Sequence, residues 1–180
     1  LPMGAFLAHL QPLLLSRHFD APVAAGFGSL FALSIGTGRI VGGVLIDRFW
    51  DFGVTTIALI VGSLGCFAIT FVDSETNYWL IAMAICAIGL TYDAEVDSGA
   101  YFTLKMFGLK EFAKIFGVKS LVVASGVALG GILSSALFDL AGNYRPLGLA
   151  ASVLFLISAA IMLAMGLRER RIRAAIGVAA

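Results

Sequence analysis

Residues 21–38 carry no charged side chain, and the apolar run then continues past a single arginine, Arg39, to the pair Asp47 and Arg48. A run of this length can cross the hydrocarbon core of a bilayer, which takes about 20 apolar residues in a helix. An arginine inside such a helix is costly unless it faces protein or water, so Arg39 is a candidate functional residue. The Asp-Arg pair beyond it is typical of a turn at the membrane surface.

Composition agrees with a membrane protein. The chain of 180 residues is 60% hydrophobic and 13% charged, where soluble domains have about 25% charged residues, and its mean hydropathy is +1.00. We expect residues 1–16 to be the second half of a helix whose beginning is absent, and 168–180 to be a tail. The sequence therefore predicts an all-α membrane protein, a six-transmembrane-helix bundle with a truncated first helix. The five full spans are expected at 21–46, 54–72, 78–104, 120–138 and 146–167.

The basic residues predict an orientation. If the connections alternate between two sides, one side receives ten of the twelve Lys and Arg residues, and the other side receives only Arg17 and Arg145. Basic residues are enriched on the cytoplasmic side of membrane proteins. We therefore expect the C-terminal tail in the cytoplasm. The ten are Arg39, Arg48, Lys105, Lys110, Lys114, Lys119, Arg168, Arg170, Arg171 and Arg173.

Other kinds of function find little support in the residues. No nucleophile–base pair, zinc-ligand spacing or basic cluster with interleaved aromatics occurs, and the glycine-rich segment 36–43 lacks the Lys-Ser/Thr of a phosphate-binding loop. Cys66 and Cys86 lie in apolar runs and are expected to be core residues. The sequence thus predicts a protein that is not an enzyme and has no cofactor, no metal and no nucleic-acid partner.

Three segments carry a family resemblance. Residues 38–49, GRIVGGVLIDRF, resemble the loop motif of the major facilitator superfamily in the copy that joins helices 8 and 9. Residues 94–117, AEVDSGAYFTLKMFGLKEFAKIFG, resemble the helix 10 to helix 11 region of bacterial members related to monocarboxylate transporters and oxalate:formate antiporters, and residues 8–14, AHLQPLL, resemble the middle of helix 7. The resemblance implies a twelve-helix secondary transporter of a bacterial inner membrane, of which this chain is the C-terminal half and lacks the N-terminal six helices. The substrate site then lies near the midplane between the halves.

The resemblance also implies a substrate-binding residue. Arg39 followed by Gly43 matches the RxxxG of helix 8 in monocarboxylate transporters, whose arginine anchors the substrate carboxylate, although Ile35 stands where those transporters commonly carry an aspartate. A guanidinium binds a carboxylate through two parallel hydrogen bonds. The alternative is a structural pair between Arg39 and Asp47 or an acid of the 78–104 span. His9 and Tyr101 are further substrate-binding candidates. For His9 two other interpretations stay open, a proton carrier that lines the pore and a packing residue.

Three acids form a second constellation. Glu95 lies ten residues before Lys105, about 15 Å along a helix, which places it near the middle of the bilayer. Asp93 and Asp97 share a helix face with Tyr101, and Glu95 points roughly the opposite way. Two interpretations remain open, proton coupling through one carboxylate and a fixed charge relay to Arg39 or Arg48.

The loop motif implies a cytoplasmic latch made by Gly38, Arg39, Gly42, Gly43, Asp47 and Arg48. In the superfamily its acid faces the start of helix 11 and its base reaches a nearby acid. Lys119 resembles by type the lysine of oxalate antiporters, but the matching depth is near Val123, so a dicarboxylate is not favoured.

The predicted function is secondary active transport of a small organic anion, a monocarboxylate in the first place, with proton symport left open. The alternative is a non-transporting six-helix membrane scaffold or signalling protein whose charged residues are internal struts. The expected partners are the substrate anion, protons, the lipid bilayer and the missing N-terminal half.

Overall fold

The computed structural model describes residues 10–16, 19–72 and 77–176, and for 93–98, 173, 175 and 176 it describes the backbone alone. Within these ranges no residue lies in a strand. The predicted all-α class is confirmed. The helices are α1 (10–16), α2 (Ala21–Arg48), α3 (Asp51–Thr70), α4 (Tyr78–Ala141) and α5 (Arg145–Ile176).

Four helical segments are long and apolar enough to cross a membrane, and Tyr78–Tyr92 is a shorter apolar helix. This follows from composition, since an 18-residue stretch within each segment has a mean hydropathy between 1.6 and 2.4. The predicted span boundaries stay predictions, because a helix can extend beyond the bilayer. The four segments are Ala21–Arg48, Asp51–Thr70, Gly99–Ala141 and Arg145–Ile172.

Helix α4 is two helices joined at one glycine. Gly108 has φ 70° and ψ 176°, while helical backbone runs up to it and away from it. This conformation is strained for any residue with a Cβ. The predicted spans leave the segment between 104 and 120 as a connection, and the structure makes that connection helical on both sides of Gly108.

The helix ends have local causes. The Asn77 side chain accepts a hydrogen bond from the Trp79 N–H at 3.0 Å, which caps the start of α4. At the other end Gly142 takes the left-handed conformation, and its N–H donates to the Phe138 carbonyl at 2.8 Å. These caps satisfy backbone groups that a helix end would otherwise leave open.

Small and hydroxyl residues let the helices approach closely. Helices α3 and α5 run antiparallel, and the Ser63 hydroxyl donates to the Ser152 carbonyl at 2.9 Å. Between α3 and α4 the Thr91 hydroxyl donates to the Ala58 carbonyl at 2.9 Å. A Cβ on Gly62 would lie 2.8 Å from the same Thr91 side chain. Such contacts hold helices together in lipid, where the hydrophobic effect between helices is absent.

Candidate functional site

Arg39 stands at the closest approach of α2 and α4. Its neighbour Gly38 is buried, and a Cβ there would lie 2.7 Å from the Leu90 carbonyl oxygen and 2.9 Å from the Leu90 Cα. Only glycine lets the two backbones meet at this point. Arg39 itself is exposed.

The same packing sets Arg39 near the acidic turn of α4, which lies roughly 3 to 9 Å further along the bundle. A Cβ on Gly89 would lie 2.6 Å from the Ser34 Cβ, so Ser34 and Gly38 of α2 meet Gly89 and Leu90 of α4, and the two helices run in the same direction. The helical backbone of 93–97 begins within about one turn, 5.4 Å, of Leu90. The side chains of Asp93, Glu95 and Asp97 lie outside the described residues, as does all of His9.

Tyr101 lies further along α4 than the acids. It is eleven residues beyond Leu90, roughly 16 Å along the helix. The Lys105 ammonium lies 5.6 Å from the centroid of its ring, and the Phe102 ring packs against it edge-on at 5.8 Å. The structure therefore places Tyr101 beside Lys105, and its role in substrate binding stays a prediction.

Lys105 is the centre of an ion cluster that the sequence analysis missed. Its ammonium hydrogen-bonds the carboxylate of Asp51, the first residue of α3, and lies 3.7 Å from the carboxylate of Glu169 in α5. The Asp51 side chain is only 6% exposed, and it also accepts the Phe52 N–H at 2.9 Å. A carboxylate at a helix N-terminus gains from the dipole and the open N–H groups there. The cluster joins three helices at one end of the bundle.

A cation–π contact lies next to the ion cluster of Lys105. The Arg170 guanidinium lies 3.6 Å from the ring centroid of Trp50. Gly166 makes room for this arrangement, because a Cβ there would lie 2.6 Å from the Trp50 ring and 2.5 Å from the Phe52 Cβ. Beside it a cleft of about 370 Å³ opens between α4 and α5, with Lys105 in its wall.

The residues of the predicted latch differ in how far they are buried. Gly42 is buried, and Gly43 has open space where its Cβ would be. Asp47 and Arg48 are exposed at the end of α2, and neither has an ion pair with another side chain that the structure describes. The latch assignment stays a prediction, and the buried acid at this end is Asp51.

Lys119 reaches back across the break in α4. Its ammonium would lie 1.8 Å from a Cβ on Gly99, so the absence of a side chain at Gly99 makes room for it. The Phe116 ring packs 5.2 Å from the same ammonium. Lys119 thus contacts the first part of α4 one turn beyond residue 95.

Comparison with known proteins decides the family. The family model of the Major Facilitator Superfamily matches residues 3–178, which is nearly the whole chain. The chain belongs to the major facilitator superfamily. It is therefore a membrane transporter protein, in agreement with the apolar helices of the structure. A search of curated proteins found no match.

Among the residues that the structure describes, no three His, Cys, Asp or Glu side chains are grouped so that they could hold a metal ion. The candidate site consists of Arg39, the turn 93–97 of α4, and the ion cluster of Asp51, Lys105 and Glu169 at one end of the bundle.

The α2–α4 contact gives a test of the motif glycines. We expect Gly38→Ala to lower the free energy of unfolding by about 1 to 2 kcal/mol, because the added methyl group must push the Leu90 backbone away. Gly43→Ala is the matched control, since nothing lies within 4 Å of its Cβ, and alanine favours the helix. Thermal unfolding in detergent measures both. Equal melting temperatures of the two variants would contradict the close approach at Gly38.

Proposed function

We propose that this chain is the C-terminal half of a twelve-helix secondary transporter that carries a small organic anion, a monocarboxylate, in symport with protons. Arg39 would bind the substrate carboxylate. The observation that carries the proposal is the position of Arg39, an exposed residue of an apolar helix that the Gly38–Leu90 contact places near an acidic turn. A charged group inside a membrane span is a functional residue by default.

The chemistry of Arg39 supports a carboxylate substrate. A guanidinium keeps its charge and presents a planar fork that matches a carboxylate. The turn 93–97 would supply the proton-carrying carboxylate, with Glu95 the first candidate. Because this turn lies beside Arg39 along the bundle, substrate binding at Arg39 and protonation on α4 could act on each other through their charges.

The surface of the second part of α4 supports the proposed missing half. Residues 109–141 are mostly exposed, and Leu121, Val122 and Leu140 are 69%, 63% and 87% exposed. An apolar helix so open on a six-helix unit offers area for a second helical unit. We propose that six preceding helices pack there and close the other wall of the substrate pathway. The predicted orientation, with the Asp51–Lys105–Glu169 cluster and the C-terminal tail in the cytoplasm, belongs to the same proposal.

Arg39→Lys tests the substrate contact. The lysine keeps the positive charge and loses the fork, so we expect the affinity for a monocarboxylate to fall by about 1.5–3 kcal/mol, the scale of a hydrogen bond to a charged group. Binding is measured by titration of the full-length gene product with a panel of labelled monocarboxylates.

The control for this variant is Arg145→Lys, a conservative change at the far end of the bundle that should leave affinity unchanged. If Arg39→Lys binds normally while Arg39→Ala loses thermal stability, Arg39 is a structural residue and the proposed substrate contact is wrong.

A further inference from the structure

A groove runs along the outside of the bundle between α2 and α3. Helix α2 packs mainly on α4, and α3 packs on α5 and α4, while α2 and α3 pack little on each other. This leaves about 510 Å³ of open space between them. We call this space the α2/α3 groove. One wall runs from Gly38 to Phe49, the other from Gly53 to Val61, and Leu90 and Thr91 form its floor.

The groove suits a hydrocarbon chain in one leaflet. From Gly38 to Phe49 it is roughly 16 Å long, about half of the ~30 Å hydrocarbon thickness of a bilayer. Its walls are aliphatic, aromatic and glycine residues, and the Thr91 hydroxyl on the floor already donates to the Ala58 and Ala87 carbonyls at 2.9 and 2.8 Å. A polar or hydrated ligand would leave its own polar groups unpaired there.

The groove is separate from the proposed substrate site. On a helical wheel Arg39 lies roughly 60° beyond Gly42, which forms one edge of the groove stripe of α2. Arg48, in contrast, lies only about 20° from Val41, at the edge of the stripe. Arg48 therefore lies closer to the groove stripe than Arg39 does.

Two arginines lie next to the residues that line one end of the groove. Arg48 is exposed and precedes Phe49, which lines the groove. Arg170 stacks 3.6 Å from the ring centroid of Trp50, which also lines it. Tryptophan commonly sits at the headgroup level of membrane proteins, and basic pockets between membrane helices bind anionic headgroups. The acid in this region that is buried, Asp51, is paired with Lys105.

From the match of length, apolar lining and charge we infer that the α2/α3 groove is a binding site for an anionic glycerophospholipid. One acyl chain lies along the groove, and the phosphate is bound by Arg48 and Arg170. The site holds a lipid of the leaflet at the Trp50 end of the bundle and takes no part in binding the transported anion.

Lipid binding by the full-length gene product tests this inference. Native mass spectrometry with added phosphatidylglycerol or phosphatidylcholine should show preferential retention of phosphatidylglycerol. The double variant Arg48→Gln/Arg170→Gln should weaken that retention roughly 5-fold for each guanidinium removed. Lys110→Gln/Lys114→Gln removes two exposed charges away from the groove and should retain phosphatidylglycerol as the unchanged protein does. Equal losses in both double variants, or no preference for phosphatidylglycerol, would overturn the site.

A photo-crosslinker identifies the occupant directly. A benzophenone attached to a cysteine at Ile57, which lines the groove and is 64% exposed, should yield an adduct with the mass of a phospholipid in phosphatidylglycerol nanodiscs. An adduct within the polypeptide would show that another part of the protein fills the groove, and an adduct between two polypeptides would show a dimer. Either result would refute the lipid site and would leave the Arg39 proposal untouched.

Discussion

Replacement of Lys105 by methionine is expected to lower the free energy of unfolding by about 2–4 kcal/mol. The change leaves the Asp51 carboxylate, 6% exposed, without its cation. Breaking a buried ion pair from one side costs about 3–5 kcal/mol, and the expected value is lower because the Lys105 side chain is 30% exposed. Thermal or denaturant unfolding in detergent measures the loss.

Two matched variants separate the ion pair from general effects of the change. Lys110→Met removes an exposed lysine of the same helix and should change stability by less than about 0.5 kcal/mol. The double variant Asp51→Leu/Lys105→Met removes both charges and should recover most of the loss, because the unpaired charge is then gone. A double variant as unstable as Lys105→Met alone would contradict an ion-pair origin.

Glu169 should matter less than Asp51. Its carboxylate lies 3.7 Å from the Lys105 ammonium and its side chain is 29% exposed, which is the setting of a surface ion pair. Such pairs contribute about 0–1 kcal/mol. The cluster is therefore one strong contact between α3 and α4 with a weaker extension to α5, and the stability of that end of the bundle depends mostly on Asp51 and Lys105.

The general architecture could be predicted from the sequence because it depends on the lengths of the uncharged apolar stretches. An apolar stretch must be helical in a bilayer to satisfy its own backbone groups, so counting uncharged residues predicts helices. The close approach at Gly38 was also within reach, since Gly38 and Gly42 have the small-xxx-small spacing of packed membrane helices. Both features depend on residues that lie near each other in the chain.

The ion cluster could not be predicted in the same way. Asp51 and Lys105 are 54 residues apart, and their contact depends on how far α3 and α4 slide along each other. The predicted spans, 54–72 and 78–104, leave both residues just outside them. One signal was available, because an acid at the first position of a helix gains from the dipole, but nothing in the sequence indicates its partner. The Trp50–Arg170 contact was missed for the same reason.

The largest functional effect is expected at Glu95. Glutamine there has the shape of a protonated glutamate but cannot release a proton. If Glu95 couples protons to transport, Glu95→Gln in the reconstituted full-length gene product should abolish accumulation of a monocarboxylate driven by a pH gradient, while exchange of labelled for unlabelled substrate continues. Glu111→Gln, an exposed acid beyond the Gly108 break, is the matched control and should retain both activities. If Glu95→Gln keeps both activities and only its melting temperature falls, Glu95 is a packing residue, and the coupling role passes to Asp93 and Asp97 on the other face of the helix.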